Sequence, residues 1–116
     1  MHLTPRENER LLIYTAAELA RRRLKNGIKL NHPEAVAVIC DELLEQAREG
    51  KKRLADVIAF GSRILAQEEV LEGVEQLIPM IQVEGMFPDG SKLITVHDPI
   101  RFSTRKEMNE TAYLTL

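Results

Sequence analysis

Near residue 80 the spacing of apolar residues changes from a mixture of three and four to a regular two, and this change constrains the fold more than any other feature. Upstream, apolar side chains recur as they would along one face of a helix. Downstream, Ile81, Val83, Gly85 and Phe87 alternate with Gln82, Glu84 and Met86, Pro88-Asp89-Gly90 interrupts, and Leu93, Ile94 and Val96 resume. Helices followed by one ribbon of strands define an α+β class. With 116 residues the chain fits one domain, and the expected architecture is a four-helix N-terminal bundle followed by a C-terminal β-hairpin.

The helices announce themselves by their ends. Thr4-Pro5-Arg6-Glu7 combines a hydroxyl cap, a proline in the first turn and a glutamate that can reach back to the cap. The first helix is expected over about 5–26, with Ile13, Ala16, Ala17, Ala20 and Leu24 on one stripe, widened by Leu12 and Leu19. Arg10, Tyr14, Glu18, Arg21, Arg22 and Lys25 fall on the other side, and Asn26-Gly27 supplies a stop. Asn31 or His32, with Pro33 and Glu34, starts a second helix over about 32–49, carrying Val36, Ile39, Cys40, Leu43, Leu44 and Ala47 inward and ending at Gly50. A third is expected over about 53–65, with Leu54, Val57, Ile58, Gly61 and Leu65 inward; Gly61 on that stripe implies close approach of another backbone. A fourth, over about 68–77, carries Val70, Val74 and Leu77 and ends at Pro79.

The hairpin is expected over about 80–97, with Pro88 presetting the turn and Gly90 taking a positive φ. Val83 and Leu93 are assigned to one face, Ile94 and Val96 to the other, so both faces are apolar. A two-stranded ribbon is marginal alone and leaves two open edges. One face should therefore pack on the helices, and an edge or the second face should meet another chain. Met86, Phe87, Lys92, Ile94, Val96 and His97 are the candidate interface residues. A charge at Ile94 should then impair assembly and leave the helical part folded. The tail, 101–116, has neither proline, glycine nor clear periodicity, and is expected to be either disordered or bound to a partner.

Composition excludes several functions. Net charge is −2, from 16 basic and 18 acidic residues, so no global field draws the chain to nucleic acid or acidic lipid. There is no Trp, and only two Tyr and three Phe, too few for a base-stacking platform. The runs Arg21-Arg22-Arg23 and Lys51-Lys52-Arg53 are flanked by glutamates and carry no interleaved aromatics, which marks a solvated or subunit-facing surface. Cys40, the one cysteine, lies mid-helix on the apolar stripe and reads as a small buried hydrophobe; a reducing, cytoplasmic setting fits. No signal segment opens the chain, and its apolar runs are too short to span a membrane. His2, His32 and His97 form no metal-ligand pattern, and His97 beside Asp98 would point to the opposite strand face from its neighbour. Glu68, Glu69 and Glu72 read as dipole partners at a helix start. Catalytic, cofactor-binding and metal-binding residues are thus all expected to be absent.

An ordered set of segments resembles the gamma subunit of bacterial urease: Leu3-Thr4-Pro5-Arg6-Glu7, Gly27-Ile28-Lys29-Leu30-Asn31-His32-Pro33-Glu34-Ala35-Val36-Ala37, Glu72-Gly73-Val74, Ile78-Pro79, Ile81-Gln82-Val83-Glu84, and Phe87-Pro88-Asp89-Gly90-Ser91-Lys92-Leu93-Ile94-Thr95-Val96-His97-Asp98-Pro99-Ile100. The resemblance implies an enzyme of gamma, beta and alpha subunits, repeated three times about a threefold axis, that hydrolyses urea to ammonia and carbamate. It implies two nickel ions bridged by a carbamylated lysine, held with the catalytic histidines in the alpha subunit, and no catalytic residue in this chain. Some family members fuse gamma to beta, and this chain is expected to end before a beta domain. Gly85 stands where the family commonly has alanine, and Ala66-Gln67-Glu68-Glu69 replaces a better helix cap. The tail beyond residue 100 has no recognised counterpart. A stand-alone helical binding module would instead show salt-dependent nucleic-acid binding, and a small enzyme would lose activity on changing His97 or Cys40.

Overall fold

The computed structural model describes residues 2–111, and α2 is the element about which they are arranged. Helix α1 spans Pro5–Lys25, α2 His32–Glu49 and α3 Leu54–Phe60. Strands β1, Met80–Phe87, and β2, Gly90–His97, pair antiparallel, and α4 spans Arg105–Thr111. Helix α1 packs against α2, β1 lies on α2, and α3 rests against α2 and β2.

The caps form as their residues require. The Thr4 hydroxyl accepts from the Glu7 N–H at 3.1 Å, and the Glu7 carboxylate accepts from the Thr4 N–H at 2.8 Å. Asn31 and Glu34 repeat this exchange at 3.0 and 2.9 Å. These backbone bonds hold both glutamates below the usual carboxylate range; Glu34, whose burial acts against the shift, is also paired with Arg23.

The second half of the helical region departs from expectation, and a four-helix bundle does not form. Helix α3 stops at Phe60 and tightens into a 3-10 turn, Gly61–Arg63. A Cβ on Gly61 would stand 2.5 Å from Val96 Cγ2, so what approaches Gly61 closely is a hairpin side chain, not a backbone. Over 68–77 there is no α-helix, only the 3-10 turns Gln67–Glu69 and Val74–Leu77. Ala66 offers no capping oxygen, and Gly73 adopts φ +87° in the middle of the span. Between the turns Val70 is extended and forms a parallel bridge with Leu30: the Leu30 N–H donates to Glu69 O at 3.0 Å and the Leu71 N–H to Leu30 O at 2.9 Å. Tertiary pairing thus outweighs the weak local periodicity. Val70 and Val74 are buried as expected, while Leu77 is exposed.

The hairpin register revises the assignment of faces. Val83 pairs with Ile94 and Ile81 with Val96, and all four point toward α2 and α3 together with Phe87. Leu93 pairs with Glu84 on the outer face. Ile94 and Val96 are therefore core residues of this chain, packed in one cluster with Ile39, Leu43 and Ala47 of α2 and Val57 of α3.

Helix α1 buries little apolar surface and is tied to α2 by a cluster of ion pairs. Only Ala17 and Ala20 are buried, with Ile13 and Leu24 half-buried, so little apolar area fixes it. Arg10 and Arg21, expected on the solvent side, instead converge on Asp41 of α2. Each places a guanidinium nitrogen 2.6 Å from one of its carboxylate oxygens. Arg10 also reaches Glu45, and Arg21 reaches Glu18 and Glu42. The Asp41 side chain is only 7% exposed. Burial alone would raise its pKa, but the bonds from Arg21 and Arg10 outweigh burial and hold it below the ordinary value.

Asp41→Asn should lower stability by about 2–3 kcal/mol in denaturant titration, because two partly buried guanidinium groups lose their shared anion. A depressed carboxylate pKa stabilises the fold fully above the unfolded value and loses that contribution as pH falls, so unaltered protein should lose this stability below about pH 4, and the Asp41→Asn variant should lose less over the same range. Gly61→Ala should cost about 1–3 kcal/mol through overpacking against Val96. Ile94→Asp should unfold the chain, read as loss of the circular dichroism of the helices, in place of the selective loss of assembly expected from sequence.

Candidate subunit interface

The residues singled out as possible chemistry are dispersed. His32 opens α2, His97 closes β2 on its outer face and His2 precedes α1; all three are exposed. Cys40 is buried, and burial, with the neighbouring Asp41 carboxylate, pushes its thiol up to about 11, so it is protonated at neutral pH. Glu69 does not serve a helix dipole: its carboxylate accepts from the Ala66 N–H at 2.8 Å and pairs with Arg105 at 2.7 Å. Among the described residues no group of three or more His, Cys, Asp or Glu gathers as a metal site.

The two basic runs are mostly engaged. Arg21 binds Glu18, Asp41 and Glu42, and Arg23 binds Glu34. Lys52 lies 4.8 Å from the centre of the Phe60 ring, and Arg53 pairs with Asp56. Cations already committed to local partners form a poor phosphate-binding surface.

What the geometry does concentrate is exposed apolar surface on two elements. Along α1, Leu12 (69% exposed), Ala16 and Leu19 follow one another at four and three residues and form a second stripe, pointing away from α2. A helix apolar on two sides is suited to lie between two partners. Ala16 is expected on the inward stripe, and Leu12 and Leu19 beside it; the register of α1, set by Arg10, Ala17 and Arg21 against α2, turns all three outward. The signal was present in the sequence, since Leu12, Ala16 and Leu19 already repeat at helical spacing beside the stripe of Ile13, Ala17, Ala20 and Leu24.

The outer face of the hairpin is the other such surface. Met80, Met86 and Leu93 are exposed there, alternating with Gln82, Glu84 and Thr95. Of the six hairpin candidates, Met86 and His97 are on this outer face, while Phe87, Ile94 and Val96 are buried beneath it. Lys92 is half-buried, with its ammonium 3.0 Å from Asp89 and 5.4 Å from the centre of the Phe87 ring. Where the N-terminal half of α1 meets β1 and the end of α2, a groove of about 660 Å³ has Leu11, Tyr14, Leu44 and Met86 on its walls and Arg6 paired with Glu84 at 2.8 Å across it. Among the described residues, no helix is long and apolar enough to cross a membrane.

Comparison with known proteins gives these surfaces a context. The family described as urease, gamma subunit, matches residues 1–100. A urease subunit gamma from Natronomonas pharaonis is 54% identical over 110 residues, covering 95% of this chain and all of the relative. A urease subunit gamma/beta from Pseudomonas syringae pv. syringae is 59% identical over 101 residues, covering 87% of this chain and 43% of that longer relative. With a family match over most of its length and a relative this similar from end to end, the chain belongs to the urease gamma-subunit family.

Proposed function

We propose that this chain is the non-catalytic gamma subunit of a urease, completing by contact an assembly in which beta and alpha chains supply the rest. The reaction of that assembly is hydrolysis of urea to ammonia and carbamate in the cytoplasm, with nickel held by the alpha chain. The observation that carries this reading is the end-to-end identity to a urease gamma subunit. The second apolar stripe of α1 and the outer hairpin face support it, because a partner that buries them would remove apolar area from water.

On this reading the chain's own residues shape and present surface. Asp41, Arg10 and Arg21 fix the roll of α1 and so aim Leu12 and Leu19 outward. Phe87, Ile94 and Val96 hold the hairpin from beneath, and Met86 and His97 are the hairpin residues offered to the partner, while Lys92 is turned to Asp89 and the Phe87 ring. On this reading the assembly is a unit of one gamma, one beta and one alpha chain, repeated three times. Nickel would polarise urea and activate water where the alpha chain binds it; the three histidines of this chain are too scattered to assist.

Co-expression with beta and alpha chains tests the proposal. The complex should hydrolyse urea and the purified chain should not; activity in the purified chain would overturn the reading. The double change Leu12→Glu and Leu19→Glu should leave circular dichroism and melting temperature close to those of the unaltered chain, since both side chains are exposed. It should reduce co-purification with the alpha chain at least about tenfold, as loss of two buried leucines at an interface implies. Undiminished co-purification would exclude the α1 stripe from the contact.

A further inference from the structure

The family model ends at residue 100, but the 110-residue match to the Natronomonas pharaonis subunit takes in residues beyond it, which corrects the expectation of a tail without a counterpart; there the chain continues as an arm laid on the segment that precedes the hairpin. The Gln67 N–H donates to Phe102 O at 2.8 Å and the Glu68 N–H to Ser103 O at 3.1 Å, which fixes the arm in register. The arm then turns into α4, whose start is capped by the Thr104 hydroxyl, accepting from the Glu107 N–H at 3.0 Å. Arg105 grips Glu69 with the Nε and Nη2 of one guanidinium edge, at 3.1 and 2.7 Å, and Nη2 donates a further bond to Ile64 O at 2.7 Å. From the other side, Arg63 donates to Met108 O at 2.9 Å and lies 5.4 Å from the centre of the Phe102 ring.

These contacts are mostly polar. Met108, 2% exposed, is the one buried side chain of α4; Lys106, Glu107, Asn109 and Glu110 face solvent. Seven residues are too few for a helix to persist alone in water, so α4 exists only while it is docked. Its anchor pair is partly solvated, with Arg105 42% and Glu69 15% exposed, and is therefore open to screening by salt. Losing the arm would leave Ile64 O without its Arg105 donor and the Gln67 and Glu68 N–H groups without their carbonyl partners.

We propose that residues 101–111 are a strap, held by the grip of Arg105 on Glu69, that opens and closes as a unit while the core around α2 stays folded, and that opens more readily as ionic strength rises. The same Glu69 carboxylate that holds the strap also caps the Ala66 N–H, so closing the strap steadies the turn at 67–69. The proposal stands independently of any partner chain.

Amide hydrogen exchange by NMR on the full chain tests it, under conditions where closing is faster than exchange. At low salt the Gln67 and Glu68 amides should be protected, but less than those of Ile39 and Leu43 in α2. Arg105→Gln should speed exchange at Gln67 and Glu68 about tenfold, as loss of a charge-assisted hydrogen-bond pair implies, with Ile39 and Leu43 unchanged. Raising salt on the unaltered chain should speed the same two amides selectively, a measurement that needs no substitution. Exchange of Gln67 and Glu68 at the rate of Ile39 and Leu43, or rates at the two amides indifferent to salt, would overturn the proposal.

Discussion

The burial of one hairpin face on α2 is the contact on which the rest of the molecule depends. A two-stranded ribbon has no stability to spare in water, and here Ile81, Phe87, Ile94 and Val96 gain theirs by joining the core built on Ile39, Leu43 and Ala47. The fit is tight enough to require two residues without side chains. A Cβ on Gly85 would lie 2.7 Å from Ile94 Cδ1 and 3.0 Å from Ala47 Cβ, and one on Gly61 would meet Val96. At Gly85 the ribbon sits close on α2 because nothing projects from that position. With one face committed inward, Met80, Met86 and Leu93 necessarily face out.

Helix α1 solves a different problem by different means. It has 21 residues and buries only two of them, so an apolar contact does not by itself fix its rotation. Asp41, taking one guanidinium on each carboxylate oxygen from residues three turns apart, supplies that constraint. An ion cluster is directional where apolar contact is not, and the direction it imposes leaves Leu12, Ala16 and Leu19 on the far side. The two apolar surfaces of the isolated chain therefore have one origin: each belongs to an element whose inner side is already occupied.

The sequence was most legible where a local rule had no competitor. The first two helices begin at Thr4 and Asn31, whose side-chain oxygens and paired glutamates leave few alternatives, and the hairpin follows from period two around Pro88-Asp89-Gly90. It was least legible where a distant partner decided the outcome. The span 68–77 carries Val70 and Val74 at helical spacing, but Leu30 pairs with the backbone at Val70 and Gly73 turns left-handed, and neither is visible in the periodicity. The faces of the hairpin are not legible, because register across the turn, which sets Val83 opposite Ile94, cannot be read from either strand alone. Residues 101–111 gave no periodic signal because α4 is specified by Arg105 reaching Glu69 rather than by an apolar stripe; residues 112–116 of the tail lie outside the described residues.

The central claim is that the apolar faces of α1 and of the outer hairpin are contact surfaces in a urease assembly. Side-chain oxidative footprinting of the free chain and of the chain co-purified with beta and alpha chains addresses it most directly. The account predicts that Leu12, Leu19, Met86 and Leu93 label readily in the free chain and become protected together in the complex, while the buried Ile94 and Met108 label weakly in both. Labelling of Leu12 and Leu19 in the complex as strong as in the free chain would contradict it.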